Sequence, residues 1–193
     1  MRPADNELLC RVEGEAPMGG LMRCYWLPVG MAEEVAEPDG APVRARLLGV
    51  DLVVFRDSRG RVGVMDEHCP HRGASLAFGR NEECGLRCLY HGWKFDVDGN
   101  VLDMSSEPPD SLLRANLKHR AYPTREAGGF IWAWLGSADA VAPFQPPARY
   151  IRHCTRPLIR RSAAAAIACA VDERGALHRT HSGVSDRRGR LRG

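Results

Sequence analysis

The 193-residue sequence has no apolar run of membrane-spanning length. The longest such stretch of its C-terminal part, Ala163 to Val171, is half the roughly 18 residues that a helix needs to cross a bilayer. The first residues, Met-Arg-Pro-Ala-Asp-Asn-Glu, lack the apolar centre of a secretory signal, so the cytoplasm is the expected compartment. Aromatic residues are scarce at 7%, and none follows Tyr150. Residues 154–193 also have no Lys and only three acidic residues against nine Arg, so the basic excess behind the net charge of +3 belongs to this tail. No nucleic-acid-binding module accompanies that charge, and neither nucleic acid nor membrane is an expected partner. An even cysteine count is missing too: with seven, at least one is unpaired in a monomer, and a reducing compartment keeps most as thiols.

What is present is a mildly acidic body that holds every large core former. Ala4 to Val12 reads as a short helix, with Asp5 or Asn6 placed to cap it, and Pro17-Met18-Gly19-Gly20 reads as a turn. Strands are predicted over 23–29, 43–48, 52–56 and 61–65, separated by turn chemistry at 37–40, 49–51 and 57–60. Trp93 to Val97, then Asp98-Gly99, then Asn100 to Leu102 predicts a hairpin, because Asp-Gly accepts the positive φ of a tight turn. Further strands are expected over 120–125 and 129–135, which makes the body mainly antiparallel β. Pro143 to Pro147 reads as a linker, and 162–171 as weakly helical by propensity alone.

Two short segments carry chemistry. One reads Cys69-Pro70-His71-Arg72-Gly73 and the other Cys88-Leu89-Tyr90-His91-Gly92-Trp93. Each supplies one thiolate and one imidazole, and Gly73 and Gly92 permit turns tight enough to turn backbone N–H groups toward a bound anion. A Cys₂His₂ set suits tetrahedral zinc. Zinc modules, however, usually pair Cys with Cys and His with His along the chain. One Cys and one His per segment suits a two-iron cluster in which one iron takes both thiolates and the other both imidazoles. Cys10, Cys24, Cys84, Cys154 and Cys169 have no spacing partner and read as incidental thiols.

These segments resemble the Rieske domain of ring-hydroxylating oxygenases. With Asn6-Glu7-Leu8-Leu9, Tyr25-Trp26-Leu27-Pro28 and Trp132-Ala133-Trp134-Leu135-Gly136, the sequence is most similar to the phthalate dioxygenase-type large subunits, over roughly residues 4–150. The resemblance implies a Rieske-type antiparallel sheet domain over 1–150, with the cluster-binding part at about 66–110. It also implies one [2Fe–2S] cluster on Cys69, His71, Cys88 and His91, surrounded by Arg72, Gly73, Tyr90, Gly92, Trp93 and Pro108. Electrons would come from a flavin/iron–sulfur reductase or a ferredoxin, and related enzymes form homo-oligomers. Tyr90, Trp93 and Phe95 are expected to wall the cluster, Pro108-Pro109 to cover it, and Arg72, Arg87 and Lys94 to rim an exposed edge facing an acidic donor. Ala74 and Tyr90 stand where respiratory-type relatives carry a bracing disulfide, which places the expected potential toward the low end of the roughly −150 to +300 mV Rieske range.

The family's second metal, a non-haem Fe(II) held by two histidines and a carboxylate, finds no matching motif. Asp172, His178 and His181 have the wrong spacing. Residues 151–193 are therefore expected to be a truncated or frameshifted remnant rather than a catalytic iron domain, the rival reading being a genuine basic extension. Two alternative functions stand beside the electron-relay domain of an oxygenase: a stand-alone Rieske ferredoxin and a structural zinc domain.

Overall fold

Residues 52–55, Leu-Val-Val-Phe, form an unbroken apolar run, and in a strand successive side chains of such a run point to opposite faces. A run of this kind is stable only where both faces are covered. A computed structural model, describing residues 2–108 and 111–146, places it at the centre of the molecule.

Three α-helices, three short 3-10 helices and eleven strands are described, and every pairing between the strands is antiparallel. β2 (Val43–Leu47), β3 (Val50–Arg56), β4 (Val62–Asp66) and β9 (Ala121–Tyr122) form one sheet in that order. β1 (Trp26–Met31), β11 (Phe130–Trp134) and β10 (Thr124–Ala127) form a second. β5 (Arg80–Glu82), β6 (Gly85–Arg87), β7 (Lys94–Phe95) and β8 (Val101–Asp103) form a small third sheet. β1 lies at a sheet edge, where Pro28 costs no ladder hydrogen bond in the interior.

The β3–β4 hairpin is the shared wall of two cores. Val53, Phe55 and Met65 face one side, with Leu76, Leu86, Trp93, Phe95, Val97 and both Cys69 and Cys88. Leu52, Val54 and Val64 face the other, with Val29, Tyr122, Ile131, Ala133 and Leu135. The metal-ligand candidates thus rise from the first core, between the small sheet and the hairpin.

Local signals in the sequence hold with shifts of a few residues. The first helix, α1, spans Pro3–Cys10, with Arg2 rather than Asp5 or Asn6 at its N-cap. The 17–20 turn is instead part of a helix, α2 (Pro17–Met22), started by a proline whose missing N–H has no helical partner to lose. Val50 and Asp51 pair within the sheet, because the β2–β3 turn needs only Leu48 and Gly49, both at positive φ. The 120–125 run divides at Pro123 into β9 and β10, which belong to different sheets. β5, β6 and α3 (Leu112–Asn116) have no counterpart among the expected elements. The 143–147 segment is no free linker as far as residue 146. Phe144 sits against Trp26 and Trp132 at ring distances of 5.2 and 5.9 Å, and the Trp26 indole N–H donates to the Ala142 carbonyl at 2.8 Å. The expectations for the 151–193 tail, for Asp172, His178 and His181, and for Pro109 lie outside the described residues. Among the described residues no helix is long and apolar enough to cross a membrane.

Candidate metal centre

Both candidate segments are loops that leave and re-enter the structure within six residues. The first follows β4 and is closed by a bridge between His68 and Ser75; the second joins β6 to β7. They share one hydrogen-bond pattern. The Cys69 N–H donates to the Ala74 carbonyl (2.9 Å) and the Gly73 N–H to the Cys69 carbonyl (2.8 Å). The Cys88 N–H donates to the Trp93 carbonyl (2.7 Å) and the Gly92 N–H to the Cys88 carbonyl (3.1 Å). The glycine stands four residues after the cysteine in both loops, at φ +69° and +74°, a conformation in which L side chains are strained. Aligned on cysteine and glycine, the loops place their histidines one position apart.

The result sorts the four donors into two pairs. Cys69 and Cys88 are buried in the core, with their side chains in hydrogen-bond contact. His71 and His91 lie nearer the surface, with ring centroids 4.5 Å apart at 65°. Burial pushes the Cys69 thiol up to about 11, and the neighbouring Cys88 adds to this, while N–H groups of His71 and Arg72 donate to the sulfur and partly offset it. Such a thiol loses its proton readily only when a metal cation takes the proton's place on the sulfur. His91 is held below the ordinary imidazole value by desolvation and then by the charges of His71 and Arg72. The His71 Nδ1 is buried and has no hydrogen-bond partner. An orphaned ring nitrogen beside a second imidazole, and two touching thiols of which Cys69 is donated to by backbone N–H, make a donor set that fits a metal centre. Among the described residues no three or more His, Cys, Asp or Glu converge on a single point.

Trp93 is buried and stacks on His71, with ring centroids 4.5 Å apart and planes within 6°, and its indole N–H donates to the Ser106 hydroxyl at 2.9 Å. Tyr90 lies 3.8 Å from His91 but is 59% exposed, so it borders the site at the surface rather than sealing it. Phe95 is fully buried in the core below. Pro108 is exposed after β8, and Arg72 is exposed on the first loop.

Arg87 and Lys94 do not rim an open edge. Arg87 is ion-paired to Glu82 and Asp103, at 2.7 Å each, and Lys94 is buried with its ammonium 2.8 Å from Glu83. The two cations face each other across β6 and β7, and that opposition is tolerated only with carboxylates drawn in beside them. The sequence reading also missed the support of the first loop. The buried Glu67 carboxylate accepts from the Ser75 hydroxyl (2.5 Å) and from Arg44 (2.6 Å). Neither Ser106 nor Arg44 lies in a motif, and sequence distance hides both contacts.

Comparisons with known proteins agree with this geometry. A model of the Rieske [2Fe–2S] domain matches residues 25–123. The chain is 66% identical over 148 residues to the phthalate 4,5-dioxygenase oxygenase subunit of Pseudomonas putida, covering 77% of this chain and 34% of that protein. It is 50% identical over 133 residues to the 3-chlorobenzoate-3,4-dioxygenase oxygenase subunit of Comamonas testosteroni, covering 69% of this chain and 31% of that protein. The chain thus spans about a third of the length of these curated relatives. Among solved structures, apo dicamba monooxygenase superposes with a TM-score of 0.56 at 28% identity, over 63% of this chain and 36% of that one. An oxygenase–ferredoxin complex of carbazole 1,9a-dioxygenase superposes with a TM-score of 0.52 at 30% identity, over 65% of this chain and 30% of that one. With its paired thiols and imidazoles on two matched loops and a family match over more than half its length, the chain belongs to the Rieske [2Fe–2S] domain family.

Proposed function

We propose that this chain is the electron-relay part of a phthalate dioxygenase-like, aromatic-ring-hydroxylating oxygenase. In this reading Cys69 and Cys88 hold one iron of a [2Fe–2S] cluster, and His71 and His91 hold the other. The observation that carries it is the sorting of four donors into a buried thiol pair and an outer imidazole pair by two loops of one hydrogen-bond pattern. One tetrahedral zinc would need all four donors around a single point.

When bound, the cluster supplies reversible one-electron transfer. The chain's own residues do the rest. The backbone N–H groups of His71 and Arg72 favour the thiolate form of Cys69. The buried thiol pair sits on the Val53–Phe55–Met65 core, which keeps water from the inner side. His71 and His91 form the outward side, the shorter path for an electron entering from a partner. Trp93 holds the His71 ring in one plane.

The donor in this proposal is a reductase or ferredoxin, a reading supported by the similarity to the oxygenase in an oxygenase–ferredoxin complex of carbazole 1,9a-dioxygenase. In the assembled oxygenase the electrons would pass on to a mononuclear iron outside the described residues, with the cytoplasm as the working compartment and residues 1–150 as the domain. The test is anaerobic reconstitution with iron and sulfide, followed by metal and sulfide counting and EPR of the reduced protein. Two irons and two sulfides per chain with a rhombic [2Fe–2S] signal are expected, and Cys88→Ser and His91→Ala should each abolish the signal. Zinc retention without sulfide would overturn the reading.

A further inference from the structure

We propose that Arg87 is a positioning residue for the metal centre: its guanidinium fixes the Gly92–Trp93 peptide and, through the Trp93 ring, the orientation of the His71 imidazole. The proposal rests on the cluster reading above.

Arg87 is the last residue of β6 and immediately precedes Cys88. Its Nη1 donates to the Gly92 carbonyl at 2.7 Å, inside the second loop, and to Asp103 of β8 at 2.7 Å. Its Nε donates to Glu82 of β5 at 2.7 Å, and Ser105 lies 3.3 Å from Nη1. The side chain therefore spans the small sheet from β5 to β8 and meets the loop on the way.

The carbonyl it holds belongs to the peptide that carries Trp93. That ring is fixed at three points: its peptide by Arg87, its indole N–H by Ser106, and its face by His71 of the opposite loop. Arg87 thus reaches the first loop without touching it. A Cβ on Gly92 would lie 3.0 Å from the Ser105 hydroxyl, which itself lies 3.3 Å from Nη1, so a side chain there would press on the same cluster of groups.

Stability alone does not account for this arrangement. Arg87 is 17% exposed, faces Lys94 across the strands, and is held between two carboxylates. Partly buried ion pairs of this kind, with Glu82 33% and Asp103 42% exposed, commonly add little to stability. What a planar guanidinium adds is direction, since its fork of N–H groups addresses several acceptors at fixed angles.

The test compares reconstituted 193-residue chains: wild type, Arg87→Gln, Arg87→Lys, Ser106→Ala, and Arg61→Gln as a control that weakens a remote ion pair on the β3–β4 turn. EPR g values, midpoint potential, thermal midpoint and cluster loss to a chelator are measured. Arg87→Gln is expected to shift the g values and the potential and to lose its cluster roughly 10-fold more readily. Arg87→Lys, which keeps the charge without the fork, should fall between the two. Ser106→Ala should move the same spectra by less, and Arg61→Gln should lower the thermal midpoint alone. If Arg87→Gln does not fold, the other two variants decide, and shifted spectra in them support the proposal. Wild-type g values and potential in every folded Arg87 and Ser106 variant overturn it. A wild-type chain without a [2Fe–2S] signal overturns the cluster reading, and this proposal with it.

Discussion

Gly73 and Gly92 play equivalent parts in the two loops, yet their surroundings differ. An added Cβ at Gly73 meets nothing within 4 Å, whereas at Gly92 it meets Ser105 at 3.0 Å. Gly73→Ala should therefore cost only the left-handed penalty, about 1–2 kcal/mol, and leave the cluster spectrum in place. Gly92→Ala should cost more and disturb the Arg87 contact; thermal unfolding with EPR on both variants checks the difference. His119 gives a second residue-scale prediction. It is buried, its Nε2 lies 2.8 Å from the Asp66 carbonyl, and burial holds its pKa below the ordinary 6.5 despite the opposing pull of Asp66. Below about pH 6.5 the unfolded chain takes up a proton that the folded chain resists, so stability falls as pH falls, by at most ~1.4 kcal/mol per pH unit for this group. Chemical denaturation between pH 5 and 8 should show a shallower slope for His119→Gln than for wild type.

At the scale of elements, the β3–β4 hairpin depends on a carboxylate with no exposure at all. Asp57 accepts from the Arg59 and Arg61 N–H groups at 2.9 and 2.8 Å and from the Arg61 side chain at 2.9 Å, closing the turn. The sequence marks 57–60 as turn chemistry, and the structure adds that the Asp closes it from inside. Asp57→Ala leaves those donors without an acceptor in the protein and should cost about 3 kcal/mol, while Arg61→Gln, whose side chain is 45% exposed, should cost about 1 kcal/mol or less. Urea unfolding of the two variants reads the contrast. The strands next to it show what local pattern conveys. β3 is legible because an apolar run long enough for two faces is distinctive. β5 and β6, three residues each, are too short to leave a period, and only their pairing with each other, and of β6 with β7, makes them strands.

Across the whole molecule, two cores share one hairpin, and the metal-ligand candidates sit on one core while the segment leaving β11 returns to the other end. Phe144 holds that return against Trp26 and Trp132. Phe144→Ala should lower stability by roughly 1–2 kcal/mol and leave the EPR signal unchanged, because the aromatic cluster and the loops belong to separate parts of the fold. A chain ending at residue 150 should bind as much iron and sulfide as the 193-residue chain, a comparison that tests the proposed 1–150 domain directly.

The sequence by itself determined the chemistry and the class of fold. Cysteine, histidine and glycine at fixed offsets mark candidate metal loops because coordination and positive φ each demand particular residue types. Alternating and unbroken apolar runs declare strands because burial has the period of the pleat. Tertiary structure alone decided how the donors sort, thiols inward and imidazoles outward, since that depends on how two loops distant in sequence face each other. It also decided that Arg87 and Lys94 are paired inside the small sheet rather than presented to a partner. A charge in a sequence has no inherent depth; only the strands that carry its counterions, here β5 and β8 for Arg87 and the β5–β6 turn for Lys94, set whether it meets water or an acid.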